Sequence, residues 1–174
     1  MMKFVKVQKE WFAGLLILVS VLLCPLGSSW CQEKNQAYWT DSADNVPINQ
    51  INLTAGETKT VRLLTEIPAS KTLRAYNIMI ELDPNVCAVN EVNPIAGFAL
   101  SPRNINSDYS AEVTINGFDV HGISGPAAIS VIELTLVGKN CGSFDLKISI
   151  NSYGATVDDQ FKPDVVNTRV IVNE

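Results

Sequence analysis

Residues 73–92 read LRAYNIMIELDPNVCAVNEV. Tyr76, Ile78, Ile80 and Leu82 alternate with Ala75, Asn77, Met79 and Glu81, the period of a strand with one buried face. Asp83-Pro84-Asn85 ends the run, because proline fixes its own φ and drives the residue before it out of the helical region. A second β-rich segment, Val86 to Val92, follows at once and carries Cys87. Strand, turn, strand is the unit from which the rest of the chain is read.

Outward from that unit, strands alternate with turn chemistry. On the N-terminal side, Val46 to Leu53 reads as a first strand, ended by Ala55-Gly56, and Thr58 to Ile67 as a second. On the C-terminal side, Ser101-Pro102-Arg103-Asn104 reads as a polar loop. Tyr109 to Val120 alternates again, with Val113 and Ile115 opposed to Glu112, Thr114 and Asn116. Gly122 to Pro126 has the composition of a loop. Ile132, Leu134 and Leu136 mark a buried strand stopped by Gly138. The cleanest alternation lies in Ser143 to Asn151, where Phe144, Leu146, Ile148 and Ile150 face in. Asn151 to Gly154 reads as loop, and Val165 to Val172 closes the domain. The expectation is an all-β, two-sheet antiparallel sandwich of eight or nine strands with no helix in the body.

Ahead of the domain, Lys3, Lys6 and Lys9 precede an apolar run from Trp11 to Leu26, broken by Pro25-Leu26-Gly27-Ser28-Ser29. Positive, apolar, then small is the order of a secretory signal peptide. The run spans about 16 residues, fewer than the ~20 that cross a bilayer. Residues 1–31 are therefore expected to be a signal peptide, 32–45 a polar tether without periodicity, and 46–174 the domain. A retained anchor is the alternative for the leader. Export places the chain in a secreted, periplasmic or cell-surface setting, with no membrane attachment after cleavage. The chain ends soon after its last strand, so a single accessory domain is expected rather than a multi-module scaffold.

Removing Lys3, Lys6, Lys9 and Glu10 with the leader takes the net charge from −5 to −7. That balance argues against nucleic acid and anionic membrane surfaces as partners. Cys24 and Cys31 lie in the leader, leaving Cys87 and Cys141 in the body. Two cysteines in an exported domain most often pair, and closing that loop stabilises by about 4 kcal/mol in the chain-entropy account. A Cys87–Cys141 disulfide is expected, with two buried free thiols as the alternative.

Three stretches carry a resemblance. Leu82-Asp83-Pro84-Asn85-Val86-Cys87 resembles the YDPxVL signature of cohesin-type domains. Thr54-Ala55-Gly56-Glu57-Thr58-Lys59-Thr60-Val61 is similar to that family's lead into an early strand. GPAAISVIELTLVG, Gly125 to Gly138, is similar to a later one. The likeness runs from about Val46 to Val172 and implies a jelly-roll, cohesin-like sandwich. In cohesins the outward polar residues on the strand before the Asp-Pro turn lie on the face that receives a dockerin. The resemblance thus implies a protein partner, dockerin-like, met by a sheet face including Asn77, Met79 and Glu81, with Glu112, Thr114 and Asn116 beside them. Ala75 departs from the amide or carboxylate often found at its position.

Catalytic constellations are scarce. His121 is the single histidine, in a Val-His-Gly loop context, with no glycine-flanked nucleophile to serve it. Asp158-Asp159 is an acidic pair, but neighbours on a strand point to opposite faces. No enzyme activity and no cofactor are expected. Asp83, Asn85, Asp158, Asp159 and Asp164 are oxygen donors of the kind calcium uses, without the alternate spacing of a calcium loop, so no metal is expected. Asn52-Leu53-Thr54 is a glycosylation acceptor pattern where the pathway exists. The other readings are a polysaccharide-binding module, for which Tyr38, Trp39, Tyr109, Tyr153 and Phe161 are the aromatics at hand, and a structural or adhesin-type subunit. Coplanar exposed aromatics would mark sugar binding; a flat polar and apolar sheet face would mark protein binding.

Overall fold

The computed structural model describes residues 35–42, 44–100 and 111–174, the side chain of Leu100 excepted. The expected signal peptide, residues 32–34, the expected loop at Ser101–Asn104 and Tyr109 lie outside the described residues.

Eleven strands are described: β1 (Gln36–Asp41), β2 (Gln50–Thr54), β3 (Thr58–Ile67), β4 (Thr72–Glu81), β5 (Cys87–Pro94), β6 (Ala99–Leu100), β7 (Glu112–Ser124), β8 (Ala127–Gly138), β9 (Gly142–Gly154), β10 (Asp164–Val166) and β11 (Thr168–Asn173). One three-residue 3-10 turn, Val157–Asp159, interrupts them. They form a five-stranded sheet in the order β10-β1-β3-β8-β5 and a six-stranded sheet in the order β2-β11-β9-β4-β7-β6. The expected two-sheet sandwich is what the chain adopts. No described helix is long and apolar enough to cross a membrane.

Alternation generates the core. Tyr76, Ile78 and Ile80 of β4, Leu146, Ile148 and Ile150 of β9, and Ile132, Leu134 and Leu136 of β8 are all buried. Apart from Val131, itself buried before Ile132, their neighbours in sequence lie on the opposite, more exposed face, so both sheets present one apolar side inward, as the period of two requires. Phe144, expected inside with them, is only half-buried. The Asp-Pro corner behaves as its residues dictate. Asp83 accepts from Asn85 N through its carboxylate at 2.9 Å, and its carbonyl accepts from Cys87 N at 2.9 Å.

The structure corrects several expectations. Residues 36–41 are not tether: β1 pairs antiparallel with β3 and parallel with β10, and Ala37 and Trp39 are buried in the core. Pairing is not antiparallel throughout, because β2 and β11 also run parallel. The first and last segments of the domain thus each divide between the two sheets and pair with each other in both. The expected first strand begins later, with Val46 59% exposed ahead of it. The expected loop at Asn151–Gly154 continues β9, and Tyr153 is fully buried. The expected loop at Gly122 is the far end of β7.

No disulfide joins Cys87 to Cys141; both thiols are free. Cys87 starts β5 with its side chain in the core, its Sγ donating to Ala88 O at 3.6 Å. Cys141 lies exposed in the turn between β8 and β9. A buried thiol aimed inward and a turn thiol in solvent do not meet the direction requirement of a disulfide.

Candidate functional site

The outer face of the six-stranded sheet gathers all six residues expected on a binding face. On β4 the outward positions are Ala75, Asn77, Met79 and Glu81. Register places Asn77 opposite Asn116, Met79 opposite Thr114, and Glu81 opposite Glu112 on β7. Two strands therefore present two matched rows, amide to amide, methionine to threonine, carboxylate to carboxylate. Cross-strand neighbours stand about 5 Å apart at Cβ, so each pair is a contact unit.

A third strand joins the amide row. Between Asn77 and Ile78 the β4–β9 register slips by one, because β9 carries an extra residue there, and Asn151 is that residue. Asn151 Nδ2 donates to Asn77 Oδ1 at 2.7 Å, and Asn77 Nδ2 donates to Asn116 Oδ1. This ladder across β9, β4 and β7 orients the Asn77 amide, with its oxygen toward β9 and its nitrogen toward β7. In the sequence the alternation of β9 ends at Asn151, so its part in the ladder carries no sequence signal.

At the other end of the face, Lys147 of β9 sits 3.9 Å from Glu81. Beside that pair lies a shallow hollow of about 430 Å³, lined by Glu81, Asp83, Pro84, Phe144, Asp145 and Lys147. Further out, Arg169 of β11 donates to Ser143 Oγ at 2.9 Å.

Sequence reading also missed the apolar end. Phe118 follows Thr114 and Asn116 in the outward phase of β7, and it is 53% exposed. It stands between Ala75 of β4 and Ala99 of β6, both exposed. Beyond it β7 bulges: Leu73 pairs with Ile123 and Ala75 with Phe118, so residues 119–122 face a single residue of β4. His121 N donates to Asp119 Oδ1 at 2.9 Å inside the bulge, and Gly122 takes a φ of +73°, where glycine meets no Cβ penalty. The bulge leaves Val120 74% exposed and His121 in solvent. His121 is thus a strand-bulge residue, not a loop one.

Two of the five calcium-type donors have other engagements. Asp83 closes its own turn, and Asp159 accepts from Lys71 Nζ at 3.2 Å. Among the described residues no group of three or more His, Cys, Asp or Glu side chains converges to hold a metal ion. Of the aromatics considered for sugar stacking, Trp39 and Tyr153 are in the core, and Tyr153 packs edge-on to Phe161 at 5.7 Å. Tyr109 lies outside the described residues.

No family model matches the chain, and no curated protein matches it. Solved structures do. A cohesin module of a family 33 glycoside hydrolase from Clostridium perfringens is 11% identical, with 81% of this chain and 98% of that one covered and a TM-score of 0.61. A non-cellulosomal cohesin from the hyperthermophilic archaeon Archaeoglobus fulgidus is 16% identical, covering 81% and 91%, at a TM-score of 0.56. A type I cohesin–dockerin complex from Clostridium thermocellum matches at 14% identity, covering 79% and 92%, at 0.54. From Asn35 onward, the chain folds as a cohesin-type domain.

Proposed function

We propose that this domain is a non-catalytic binding module that recognises a protein partner, dockerin-like, through the outer face of its six-stranded sheet. The observation that carries the reading is the registered pairing of Asn77, Met79 and Glu81 with Asn116, Thr114 and Glu112 on one solvent-facing surface. A fixed amide row flanked by a methionine and carboxylates offers oriented hydrogen bonding beside an adaptable apolar contact, which suits a polypeptide surface. The Clostridium thermocellum cohesin of the same fold, seen in complex with a dockerin, supports the same direction. The leader pattern supports a setting outside the cytoplasm. A sugar-binding face gains no support from the described residues, where Phe118 is the single exposed large aromatic.

The test is a pull-down with the chain as bait against exported proteins of its source, with and without calcium. Recovery of one partner that is lost with Asn77→Arg is the expected outcome. Retention on insoluble polysaccharide with no protein recovered would move the function to carbohydrate binding.

A further inference from the structure

The two sheets end in four described strands, β10 and β5 on one, β2 and β6 on the other. Open edges attract foreign strands unless they are short, bulged, charged or carry proline. β10 has three residues and β6 two. β5 is longer, but it bulges between Val89 and Glu91, exposes Glu91 and runs into Pro94. β2, Gln50–Thr54, has none of these devices: its five residues lie in unbroken register with β11 and include no charge and no proline. Asn52 stands at its centre. Ile51 and Leu53 on either side are buried, so Asn52 projects from the outer face.

Asn52-Leu53-Thr54 is also the single Asn-x-Ser/Thr pattern in the chain. Asn52 Oδ1 accepts from Gln50 Nε2 at 2.7 Å, which leaves Nδ2, the atom such a pattern modifies, as the open end of the side chain. We propose that Asn52 is an N-glycosylation site, its glycan taken from a lipid-linked oligosaccharide phosphate as the chain is exported. Asn52 Nδ2 attacks C1 of the first sugar, and the C1–N bond forms as the bond from C1 to the phosphate oxygen breaks. The amide proton passes to a base of the transferase, and the lipid phosphate leaves as the anion. In the folded chain Thr54 Oγ1 donates to Glu57 Oε2 at 3.1 Å, and Thr54 N donates to the same oxygen at 2.7 Å. The hydroxyl that completes the pattern is thus engaged after folding, so transfer belongs to the extended chain before it folds.

Once folded, the glycan overhangs the β2 edge and supplies the blunting that its sequence lacks. It also stands clear of the proposed binding face. β2 is three strand steps from β4, about 14 Å at ~4.8 Å each. Along the strands, Asn52 aligns through Ile171 with Ser143, and Ser152 is the partner of Asn77. The two ends of that stretch of β9 are roughly 30 Å apart at ~3.4 Å per residue.

The test purifies the chain from the exported fraction of its source and maps the tryptic peptide Asn35–Lys59 by mass spectrometry with electron-transfer fragmentation. The expected result is an increment of whole sugar units on Asn52, lost in Asn52→Gln and in Thr54→Ala and kept in Thr54→Ser. Asn52→Gln should also sediment as a larger species than the parent at equal concentration, through the bared β2 edge, and should recover the same partner in the pull-down. The peptide found only at its bare mass overturns the site, as does a sugar that persists in Thr54→Ala. Unchanged sedimentation of a sugar-free Asn52→Gln overturns the edge role, and loss of its partner overturns the placement clear of the face. A glycan on Asn52 with no partner recovered would remove the protein-binding reading and leave this one standing.

Discussion

Asn151 donates to Asn77 across 2.7 Å from a strand that has slipped one residue out of step with its neighbour. The slip is what brings the two amides together, and it leaves Asn77 free to pass the polarity on to Asn116. Asn77 is therefore the one residue of the row that must both donate and accept. Replacing it by aspartate keeps the acceptor toward Asn151 and removes the donor toward Asn116. A neutral hydrogen bond on a half-exposed face contributes about 1 kcal/mol net. Asn77→Asp should lower the unfolding free energy by that amount, read as a lower urea midpoint with an unchanged slope, and Asn116→Ala should cost no more.

Gly117 lies opposite Tyr76 on the inner side of β7. A Cβ placed there would stand 2.1 Å from Tyr76 Cζ. The ring has no room to yield, since Phe98 packs at 5.1 Å, Tyr153 at 6.1 Å, and its hydroxyl donates to Val131 O at 3.3 Å. Gly117→Ala should destabilise by about 1–3 kcal/mol, the usual cost of overpacking. Combining it with Tyr76→Leu should recover part of that loss, a coupling readable in a double-mutant cycle.

With two free thiols, a reductant should leave the melting temperature of the domain where it was. Ellman's reagent should find Cys141 at once and Cys87 only on unfolding. Burial pushes the Cys87 thiol from 9.0 up to about 11, and burial raises the Tyr76 and Tyr153 phenols as well. A group whose folded pKa is raised contributes stability that is present below its unfolded pKa and lost as pH climbs toward the folded one. For Cys87 that window is pH 9 to 11, worth about 3 kcal/mol at ~1.4 kcal/mol per unit. Urea midpoints should hold steady from pH 7 to 8.5 and then fall, and Cys87→Ala should flatten the first part of that fall.

Trp39 is 0% exposed on β1. Trp39→Ala should cost about 3–5 kcal/mol by chemical denaturation, as for any large buried aromatic. Cleavage before Asn35 should leave the fold intact, while cleavage after Asp41 should abolish it.

How much of this was written in the sequence depends on whether a residue's role is local. The alternation around Tyr76, Ile78 and Ile80 and the Asp83-Pro84 stop are local, so the central strand and its outward residues could be read directly. Leu146, Ile148 and Ile150 are as plain. β1 was hidden because it has only two inward residues, Ala37 and Trp39, too few to establish a period among polar neighbours. The bulge after Phe118 and the extra residue at Asn151 depend on the register of a partner strand, which no single stretch encodes. Phe118 itself was in phase with Thr114 and Asn116 and was legible as an outward residue. The cysteines mislead for a similar reason: number and compartment say that two thiols can pair, but only the backbone says where each one points.

The parallel pairing of β1 with β10 and β2 with β11 has a mechanical meaning. Three register pairs join the first couple and five the second, and in each the early strand runs in the same direction as the late one. Force that draws the two ends of the domain apart slides these strands along each other, so the bonds of each ladder are strained together and none can be unzipped alone. A module built to hold on to something while being pulled would gain from having its own two ends fastened in this way.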